Sequence, residues 1–344
     1  MRAVVFAGDG RVRVDTVPDP VLESPADAVV RVRRAAVCGT DLHCVAHPAG
    51  LPEGFVLGHE FVGEIAEIGA GVHVHRPGDL VVGADYTACG TCWWCRHGDH
   101  WECAERRFFG TGSAFGPPLP GAQAELVRVP HADTVLHPVP PGVALDAAIF
   151  LGDTLATGYA AVRRAAPCPG DTVAVVGGGP VGQLTSLAAQ ACGAGVVVLV
   201  EPVAERRDLA AREGALGTEP DTARELVDRV TDGRGADVVV DAVGGPRGLD
   251  TAFGLVRRRG TVVSVGVHAD PAWELPVARA FTDELCLRFV VGDLMRDADE
   301  LVGLLRSGAV DPTVLGADIV QLSDVPEAYR RMARRRSLKS LITV

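Results

Sequence analysis

The sequence predicts an α/β protein of two domains, one rich in β-strands and one built on a doubly wound parallel sheet. Its 344 residues exceed the length of about 250–300 residues at which a single hydrophobic core usually stops growing. The first 150 residues contain short valine-rich runs separated by glycine and proline, a pattern typical of strands joined by tight turns. From residue 154 to about residue 291, strand patterns alternate with helical patterns, as in a parallel sheet covered by helices.

Each part of the chain supplies its own predicted elements. In residues 1–153 the valine-rich runs cover 29–32, 80–82 and 126–129. In residues 154–291 continuous apolar runs predict strands that are buried on both faces. These strands are predicted at 172–176, 196–200, 238–241, 261–265 and 287–291, with a helix at 181–192. The last part, residues 292–344, has helical patterns at 298–307 and 325–335 and a final strand pattern at 340–344.

Composition and charge exclude several classes of partner. The formal charge is 33 − 44 = −11, which argues against nucleic acid and anionic membrane partners. The arginine-rich run 330–336 is interpreted as the solvated end of a helix rather than a phosphate site. No apolar run approaches the ~20 residues that span a bilayer, and we see no secretory signal. We therefore expect a cytoplasmic protein whose nine cysteines are thiols or metal ligands rather than disulfides.

A glycine-rich turn stands between a predicted strand and a predicted helix. Gly177, Gly179 and Gly182 have the spacing G-x-G-x-x-G, and Pro180 and Val181 lie between the last two glycines. Such glycines allow a tight turn, close approach of the backbone to a pyrophosphate, and close packing of helix on strand. The phosphates would bind the free N–H groups at the start of the helix. This context predicts a dinucleotide-binding domain of the Rossmann type.

The cofactor preference is predicted from the end of the next strand. Glu201 stands there, 19 positions after Gly182. Its carboxylate would accept hydrogen bonds from the adenosine ribose and repel a 2′-phosphate, which favours NAD over NADP. The alternative is a solvated residue at a strand end. Arg206 and Arg207 slightly weaken the prediction of NAD, because a nearby arginine can accommodate a 2′-phosphate.

Four cysteines lie within 15 residues of one another. Cys89, Cys92 and Cys95 form two C-x2-C units that share the middle cysteine, and Cys103 follows after seven residues. This spacing suits a closed, tetrahedral structural zinc site. An iron–sulfur cluster is the main alternative, but its cysteine runs place the fourth cysteine after three residues and follow it with proline, whereas Ala104 follows here.

A second set of potential metal ligands is dispersed along the chain. Cys38 begins a turn or a helix start, and His59 and Glu60 follow about 20 residues later. One thiolate, one imidazole and one carboxylate would leave a fourth position open, as a catalytic zinc requires. Taken singly, each residue also has a structural explanation: Cys38 as a buried thiol and His59 as a hydrogen-bonded core histidine.

With these motifs assembled, the chain resembles the zinc-containing medium-chain alcohol dehydrogenases over essentially its whole length. The pattern is that of their bacterial secondary-alcohol, polyol and formaldehyde members. The matching segments are residues 38–43, 58–63, 68–71 and 77–79, the four-cysteine segment, residues 121–125, residues 153–159, the glycine fingerprint and the C-terminal strand.

The resemblance implies an architecture and a catalytic metal site. A GroES-like catalytic domain, residues 1–153, would be interrupted by the Rossmann domain, residues 154–291, and completed by residues 292–344. Cys38, His59 and Asp153 would hold the catalytic zinc, with Cys44 as the fallback for Asp153, because plant and animal members have cysteine as the third ligand. Glu60 would be able to approach the metal, and Asp41 would orient the ligand histidine.

The resemblance also implies a cofactor site and an activity. Thr157, Val181, Val265 and Val267 are assigned to the cofactor site, and Lys339 to a pyrophosphate contact. The implied reaction moves a hydride between a primary alcohol, secondary alcohol or polyol and NAD, giving an aldehyde or ketone. Two zinc ions per subunit and a homodimer or homotetramer are expected.

The proton path and the competing functions complete these expectations. Thr40 and then His43 would pass the alcohol proton to solvent, although a helix cap and a surface histidine are their alternative roles. A biosynthetic carbonyl reductase would use the same site, and a non-catalytic nucleotide-binding protein is the alternative from another class. The substrate is not predicted; the aromatic residues that could form a pocket wall are Tyr86, Trp93, Trp94, Phe108, Phe109 and Phe115.

Overall fold

The computed structural model describes residues 1–270 and 272–344. These residues form two compact units. Unit 1 comprises Met1–Asp153, Asp293–Val302 and Gly316–Val344, and unit 2 comprises Thr154–Gly292 and Gly303–Leu315. The segment 303–315 thus lies in unit 2, whereas the sequence places all of residues 292–344 with the first domain. The division falls inside one long helix, which no pattern in the sequence interrupts.

The elements follow one another in three stretches of the chain. Residues 1–153 form β1 (Arg2–Phe6), β2 (Val12–Thr16), β3 (Ala28–Val37), α1 (Gly39–Ala46), β4 (Phe61–Ile68), β5 (Leu80–Gly83), α2 (Trp93–Arg96), β6 (Leu126–Val129), α3 (Ala132–Val135), β7 (Leu136–Pro138) and α4 (Leu145–Ala148). Residues 154–292 form α5 (Thr154–Ala165), β8 (Thr172–Val176), α6 (Pro180–Ala191), β9 (Val196–Val200), α7 (Ala204–Arg212), β10 (Leu216–Thr218), α8 (Ala223–Val230), β11 (Ala236–Asp241), α9 (Gly245–Leu255), β12 (Val256–Ser264), α10 (Val277–Thr282) and β13 (Cys286–Phe289). The rest form α11 (Leu294–Ser307), β14 (Asp318–Gln321), α12 (Val325–Ala333) and β15 (Ser340–Thr343).

Unit 1 is organised around a mixed sheet of seven strands. Its order is β14-β15-β3-β4-β5-β7, and β6 also pairs with β3. The C-terminal strand β15 runs antiparallel to β3, with Ser340 opposite Val37. This pairing brings the end of the chain beside the end of β3, where the dispersed ligand set begins.

Unit 2 is a parallel sheet of six strands in the order β10-β9-β8-β11-β12-β13. Alternate residues of each strand point to opposite faces. In β8, Val173 and Val175 join one buried apolar cluster, and Ala174 and Val176 join another. The sheet is therefore covered on both faces, which explains the uninterrupted valine runs.

Several predicted elements differ from the structure at their ends. β3 extends to Ala28–Val37 and β12 begins at Val256, so both are longer than predicted. Each contains a pair or run of arginines, which breaks the apolar pattern from which the strand was read. Because β12 ends at Ser264, Val265 lies just beyond the strand. Among the described helices, none combines the length and apolar character needed to cross a bilayer.

Candidate metal centres and cofactor site

Four potential ligands of unit 1 lie at the starts of three elements of secondary structure. Cys38 caps the start of α1, His59 and Glu60 lead directly into β4, and Asp153 is the last residue before α5. One ligand atom from each lies within 4.8 Å of all the others, and all four side chains are buried. The Cys38 Sγ lies 3.5 Å from the Asp153 Oδ2, and the His59 Nε2 lies 3.3 Å from the same oxygen.

The chemistry of this group fits a zinc ion. Neither ring nitrogen of buried His59 makes a well-aligned hydrogen bond, although the Nδ1 lies 3.1 Å from the Asp41 Oδ1 and the Nε2 lies 3.3 Å from the Asp153 Oδ2. A buried imidazole normally makes such a hydrogen bond. One thiolate, one imidazole and one carboxylate form the three-ligand set of a catalytic zinc, which leaves the fourth position for substrate.

Metal binding at this site requires its ligands to lose protons. Burial, with Asp153 and Glu60 nearby, raises the pKa of the Cys38 thiol above its usual value. Burial opposes the charged form of His59, but Asp41 and Asp153 raise the pKa of its imidazole well above its usual value. Metal binding requires the thiolate and the neutral imidazole. Binding a metal here must therefore release protons.

Glu60 is engaged by a cation from the end of the chain. The Lys339 Nζ donates to the Glu60 Oε2, and each side chain is only 1% exposed. The resemblance assigns Lys339 to a pyrophosphate contact, which stays a prediction, and in the structure its ammonium group lies against Glu60 of the ligand cluster. The reason is the pairing of β15 with β3, which sets Lys339 beside Cys38. The fallback ligand Cys44 is buried but does not belong to the cluster, and burial raises its pKa to about 11.

The four-cysteine segment forms a second group in unit 1. The sulfur atoms of Cys89, Cys92, Cys95 and Cys103 all lie within 4.8 Å of one another. The Sγ atoms of Cys92 and Cys95 are 3.4 Å apart, and those of Cys89 and Cys95 are 4.0 Å apart. A disulfide requires about 2.05 Å, whereas ligands 2.3 Å from a tetrahedral zinc lie about 3.8 Å apart. The spacing thus fits a shared metal.

Backbone N–H groups in this segment stabilise the thiolate form of its cysteines. The N–H of Cys92 and the N–H of Cys95 donate to the sulfur atoms of Cys89 and Cys92. Burial opposes the thiolate of Cys89, but hydrogen bonds from Thr91 and Cys92 lower its pKa to about 6. The chain therefore favours at least one anionic sulfur here before any metal binds.

The predicted proton-relay residues share one side of α1. Thr40 and His43 are three positions apart in the helix, and both are half-buried. Burial, followed by the neighbouring His47, lowers the pKa of the His43 imidazole. The His43 and His47 rings are 4.7 Å apart. A neutral His43 is the form that can accept a proton.

In unit 2 the glycine fingerprint joins β8 to α6. Gly177 has φ +99°, which favours glycine, and a Cβ at Gly182 would lie 1.8 Å from the Gly177 carbonyl oxygen. A Cβ at Gly179 would meet no atom within 4 Å. Gly179 caps α6, and Pro180 and Val181 are its half-buried first residues. The turn leaves open space at the start of a helix, where a phosphate fits.

Glu201 lies against this turn. Its Oε2 accepts a hydrogen bond of 2.7 Å from the Gly178 N–H, and its Oε1 accepts one of 2.9 Å from the Val203 N–H. Arg206 is 3.9 Å from the same carboxylate, and Arg207 is 2.8 Å from Glu219. Both arginines thus face carboxylates of unit 2.

The remaining cofactor residues lie on other elements of unit 2. Thr157 is in the first turn of α5, and Val265 and Val267 follow β12. The sequence did not single out the polar network that holds this loop. The Ser264 Oγ donates to the Asp241 Oδ2 at 2.7 Å and lies 2.9 Å from the His268 Nε2. This network joins the carboxyl ends of β11 and β12.

The aromatic residues divide into two groups. The ring of Phe108 is 5.2 Å from that of His59 and also 5.2 Å from that of Phe115. Tyr86 is fully buried, and Phe109 packs on Phe61. Trp93 and Trp94 are instead 56% and 44% exposed beside the cysteine segment. Phe108 therefore lies beside one of the predicted metal ligands, and Phe115 packs on Phe108.

Comparison with known proteins agrees with this arrangement. The family model described as "Alcohol dehydrogenase GroES-like domain" matches residues 24–141, and the model "Zinc-binding dehydrogenase" matches residues 180–306. A probable zinc-binding alcohol dehydrogenase of Mycobacterium tuberculosis is 39% identical over 342 residues, covering 99% of this chain and 87% of that protein. A probable D-xylulose reductase A of Arthroderma otae is 33% identical, covering 98% and 96% of the two chains.

A solved structure shows the same fold throughout. The alcohol dehydrogenase TADH from Thermus sp. ATN1 has a TM-score of 0.95 and 38% identity, with 100% of both chains covered. The chain is therefore a zinc-dependent oxidoreductase with a GroES-like domain and a Rossmann domain. It belongs to the zinc-containing medium-chain alcohol dehydrogenase family.

Proposed function

We propose that this protein transfers a hydride between an alcohol and NAD, with one catalytic and one structural zinc ion in each chain. The buried group of Cys38, His59, Glu60 and Asp153 carries this proposal. It combines the ligand types of an open zinc site with His59 ring nitrogens that no well-aligned hydrogen bond satisfies. Within the same chain, the fingerprint and Glu201 supply the dinucleotide site.

The residues around the metal site have separate tasks. Cys38, His59 and Asp153 would hold the zinc ion, and Glu60 would stay paired with Lys339. The ion would supply Lewis acidity toward the alcohol oxygen. Thr40 would accept the alcohol proton through its hydroxyl, and the neutral imidazole of His43 would carry it to solvent.

The preference for NAD is supported by the surroundings of Glu201. Its carboxylate is held at the turn by two backbone N–H groups, so it stays in place to accept ribose hydroxyls. Arg206 and Arg207 face carboxylates, which makes them poorer partners for a 2′-phosphate. Val181, Val265, Val267 and Thr157 would contact the nicotinamide half.

The substrate is proposed only as a class. A primary or secondary alcohol is the first choice, and a polyol is an alternative because the relative from Arthroderma otae is named a D-xylulose reductase. The same site would serve a carbonyl reductase, which differs only in working direction. A non-catalytic nucleotide-binding protein is disfavoured, because every expected zinc ligand is present.

The experiment is a panel of alcohols and carbonyls with NAD and NADP, monitored by the absorbance of the reduced cofactor. We expect NAD-dependent oxidation of at least one alcohol. Thr40→Val should lower turnover by roughly 10²–10⁴-fold with both zinc ions retained, because it removes the hydroxyl that passes on the proton. Near-normal turnover in Thr40→Val would contradict the proton path, and inactivity of the wild type on every compound would contradict the function.

We also propose a cytoplasmic homo-oligomer, either a dimer or a tetramer. All nine cysteines are free, as expected in a reducing compartment. β13 is an edge strand, and Phe281 and Phe289 near it are 83% and 61% exposed. Exposed strand edges with apolar side chains favour pairing with another chain. Light scattering on a sizing column should give a mass above that of one chain, and Phe281→Lys should lower it.

A further inference from the structure

We propose that Gln123 and Tyr329 are positioning residues for the catalytic metal site: they hold the Asp41 carboxylate, and through it the His59 imidazole, in the orientation that binds metal. This inference rests on the proposed function, since it concerns the same zinc site. It assigns a role to two side chains that lie outside the four-ligand group.

Asp41 is the link between the two ligand segments. Its Oδ2 accepts a hydrogen bond of 2.8 Å from the Cys38 N–H. Its Oδ1 lies 3.1 Å from the His59 Nδ1, on the side of the ring opposite the Nε2 that faces Asp153. A small rotation of this one carboxylate would therefore change the surroundings of Cys38 and His59 together.

Gln123 restricts that rotation. Its side chain is fully buried, and its Nε2 donates both to the Asp41 Oδ2 at 3.2 Å and to the Ala36 carbonyl oxygen at 2.9 Å. Its Oε1 accepts a hydrogen bond of 2.9 Å from the Tyr329 hydroxyl. A flipped amide would set its oxygen against a carboxylate and a carbonyl, which are both acceptors. The amide therefore has one favourable orientation, with its two N–H bonds in use.

Tyr329 completes the chain of hydrogen bonds from α12. Its side chain is 4% exposed, and burial followed by Asp41 raises the pKa of its hydroxyl well above the usual value. The hydroxyl thus stays protonated, and able to donate, at neutral pH. Removal of this one oxygen would leave the Gln123 Oε1 buried without a partner.

Gln123 also packs against the backbone that precedes His59. A Cβ at Gly58 would lie 2.3 Å from the Gln123 Cγ, and Gly58 has φ +91°. The Gln123 N–H donates to the Leu57 carbonyl oxygen, and the Ala122 N–H donates to that of Gly58, both at 2.9 Å. Gln123 thus contacts both Asp41, the partner of the His59 imidazole, and the backbone that leads into His59. Outer partners of this kind typically change metal affinity by roughly 10–100-fold when they are removed.

The test uses the full-length protein and four variants. Gln123→Met removes the amide at similar volume, Tyr329→Phe removes only the hydroxyl, and Asp27→Asn is the control. Asp27 is another buried carboxylate of unit 1, 1% exposed, which accepts hydrogen bonds from Arg128 and from backbone N–H groups away from the metal ligands. His59→Ala identifies the metal that belongs to the catalytic site.

The readouts are the zinc affinity of that site by chelator competition, the visible spectrum after replacement with Co²⁺, and the affinity for NAD. We expect roughly 10–100-fold weaker metal binding in Gln123→Met, a smaller loss in Tyr329→Phe, and a shifted Co²⁺ spectrum in both, with NAD affinity unchanged. Asp27→Asn should lower the unfolding temperature while its metal affinity and Co²⁺ spectrum stay those of the wild type.

Two results would count against the inference in different ways. If Gln123→Met and Tyr329→Phe keep the wild-type metal affinity and Co²⁺ spectrum, the two residues do not position the site. If Gln123→Met does not fold, Tyr329→Phe decides the matter alone, because it retains the ring. If His59→Ala binds as much metal as the wild type, the proposed catalytic zinc site is itself wrong.

Discussion

The ammonium group of Lys339 donates to the carboxylate of Glu60 inside the ligand cluster of unit 1, where both side chains are 1% exposed. These residues lie 279 positions apart in the chain. Burial opposes the charge on Lys339, but Glu60 and Cys38 raise the pKa of its ammonium group. A cation directly before β15 thus balances a carboxylate that could otherwise approach the metal.

This pair leads to a prediction for Lys339→Met. The change removes the buried cation that faces the Glu60 carboxylate, so we expect the metal-free protein to lose about 3–5 kcal/mol of unfolding free energy. The double variant with Glu60→Gln should recover part of that loss, and bound zinc should reduce it, because the ion offers Glu60 a new positive partner. Denaturant unfolding with and without a chelator measures the loss in the single variant, the recovery in the double variant and the effect of bound zinc. A loss of unfolding free energy below about 1 kcal/mol in metal-free Lys339→Met would show that the pair with Glu60 does not stabilise the fold.

Glu201→Ala tests the cofactor preference. The variant loses ribose hydrogen bonds and the repulsion of a 2′-phosphate, so NAD should bind more weakly and discrimination against NADP should fall by roughly 1–3 kcal/mol. Glu225→Ala is the control, since it removes an exposed carboxylate of unit 2 on α8. The ratio of kcat/KM for the two cofactors is the measurement. A wild type that prefers NADP would contradict our interpretation of Glu201.

Cys95→Ser tests the second metal site. Purified wild type should contain two zinc ions per chain, and the variant should contain one. Its unfolding temperature should fall, because a site with three thiolates loses binding energy that contributes to folding. Cys168→Ser, at an exposed cysteine outside both groups, should behave like the wild type. Iron in place of zinc, or an unchanged zinc content in Cys95→Ser, would refute the assignment.

His137 gives a prediction about pH. Burial, followed by the nearby His75, lowers the pKa of its imidazole to about 4. Its Nε2 is buried without a hydrogen-bond partner. Between pH 6.5 and pH 4 the unfolded chain binds a proton there that the folded chain does not, so folding stability falls as the pH falls. Over the whole pKa difference between the unfolded and the folded chain, the loss of stability is roughly 3 kcal/mol, at 1.36 kcal/mol for each pKa unit.

The measurement compares unfolding free energy at pH 7 and pH 5 in the wild type and His137→Gln. The variant should lose less stability on acidification, and loss of zinc at low pH cancels in the comparison because both proteins retain the ligands. His73→Gln, at an exposed histidine, should follow the wild type. Equal losses in wild type and His137→Gln would contradict the prediction.

Local patterns account for what the sequence predicts well. The strands of unit 2 are buried on both faces, so their valine runs are unbroken, and the four cysteines lie close enough in the chain to suggest one site. β3 and β12 are underestimated because arginines within them interrupt the apolar pattern.

Other parts of the site depend on contacts that no local pattern encodes. Tyr329 and Gln123 are 206 positions apart and meet only because α12 packs within unit 1. Lys339 reaches Glu60 because β15 pairs with β3, and its contact with the cofactor pyrophosphate stays a prediction. Long-range strand pairing therefore determines the outer layer of the metal site.

The most direct test of the central claim is zinc content and turnover in the same samples of wild type and His59→Ala. The variant removes a ligand of the metal that acts as Lewis acid, so zinc should fall from two ions to one per chain. Turnover should fall by several orders of magnitude, while NAD affinity, carried by residues of unit 2, stays close to that of the wild type. A His59→Ala protein that keeps two zinc ions, or that oxidises alcohols at a rate near that of the wild type, would contradict the account.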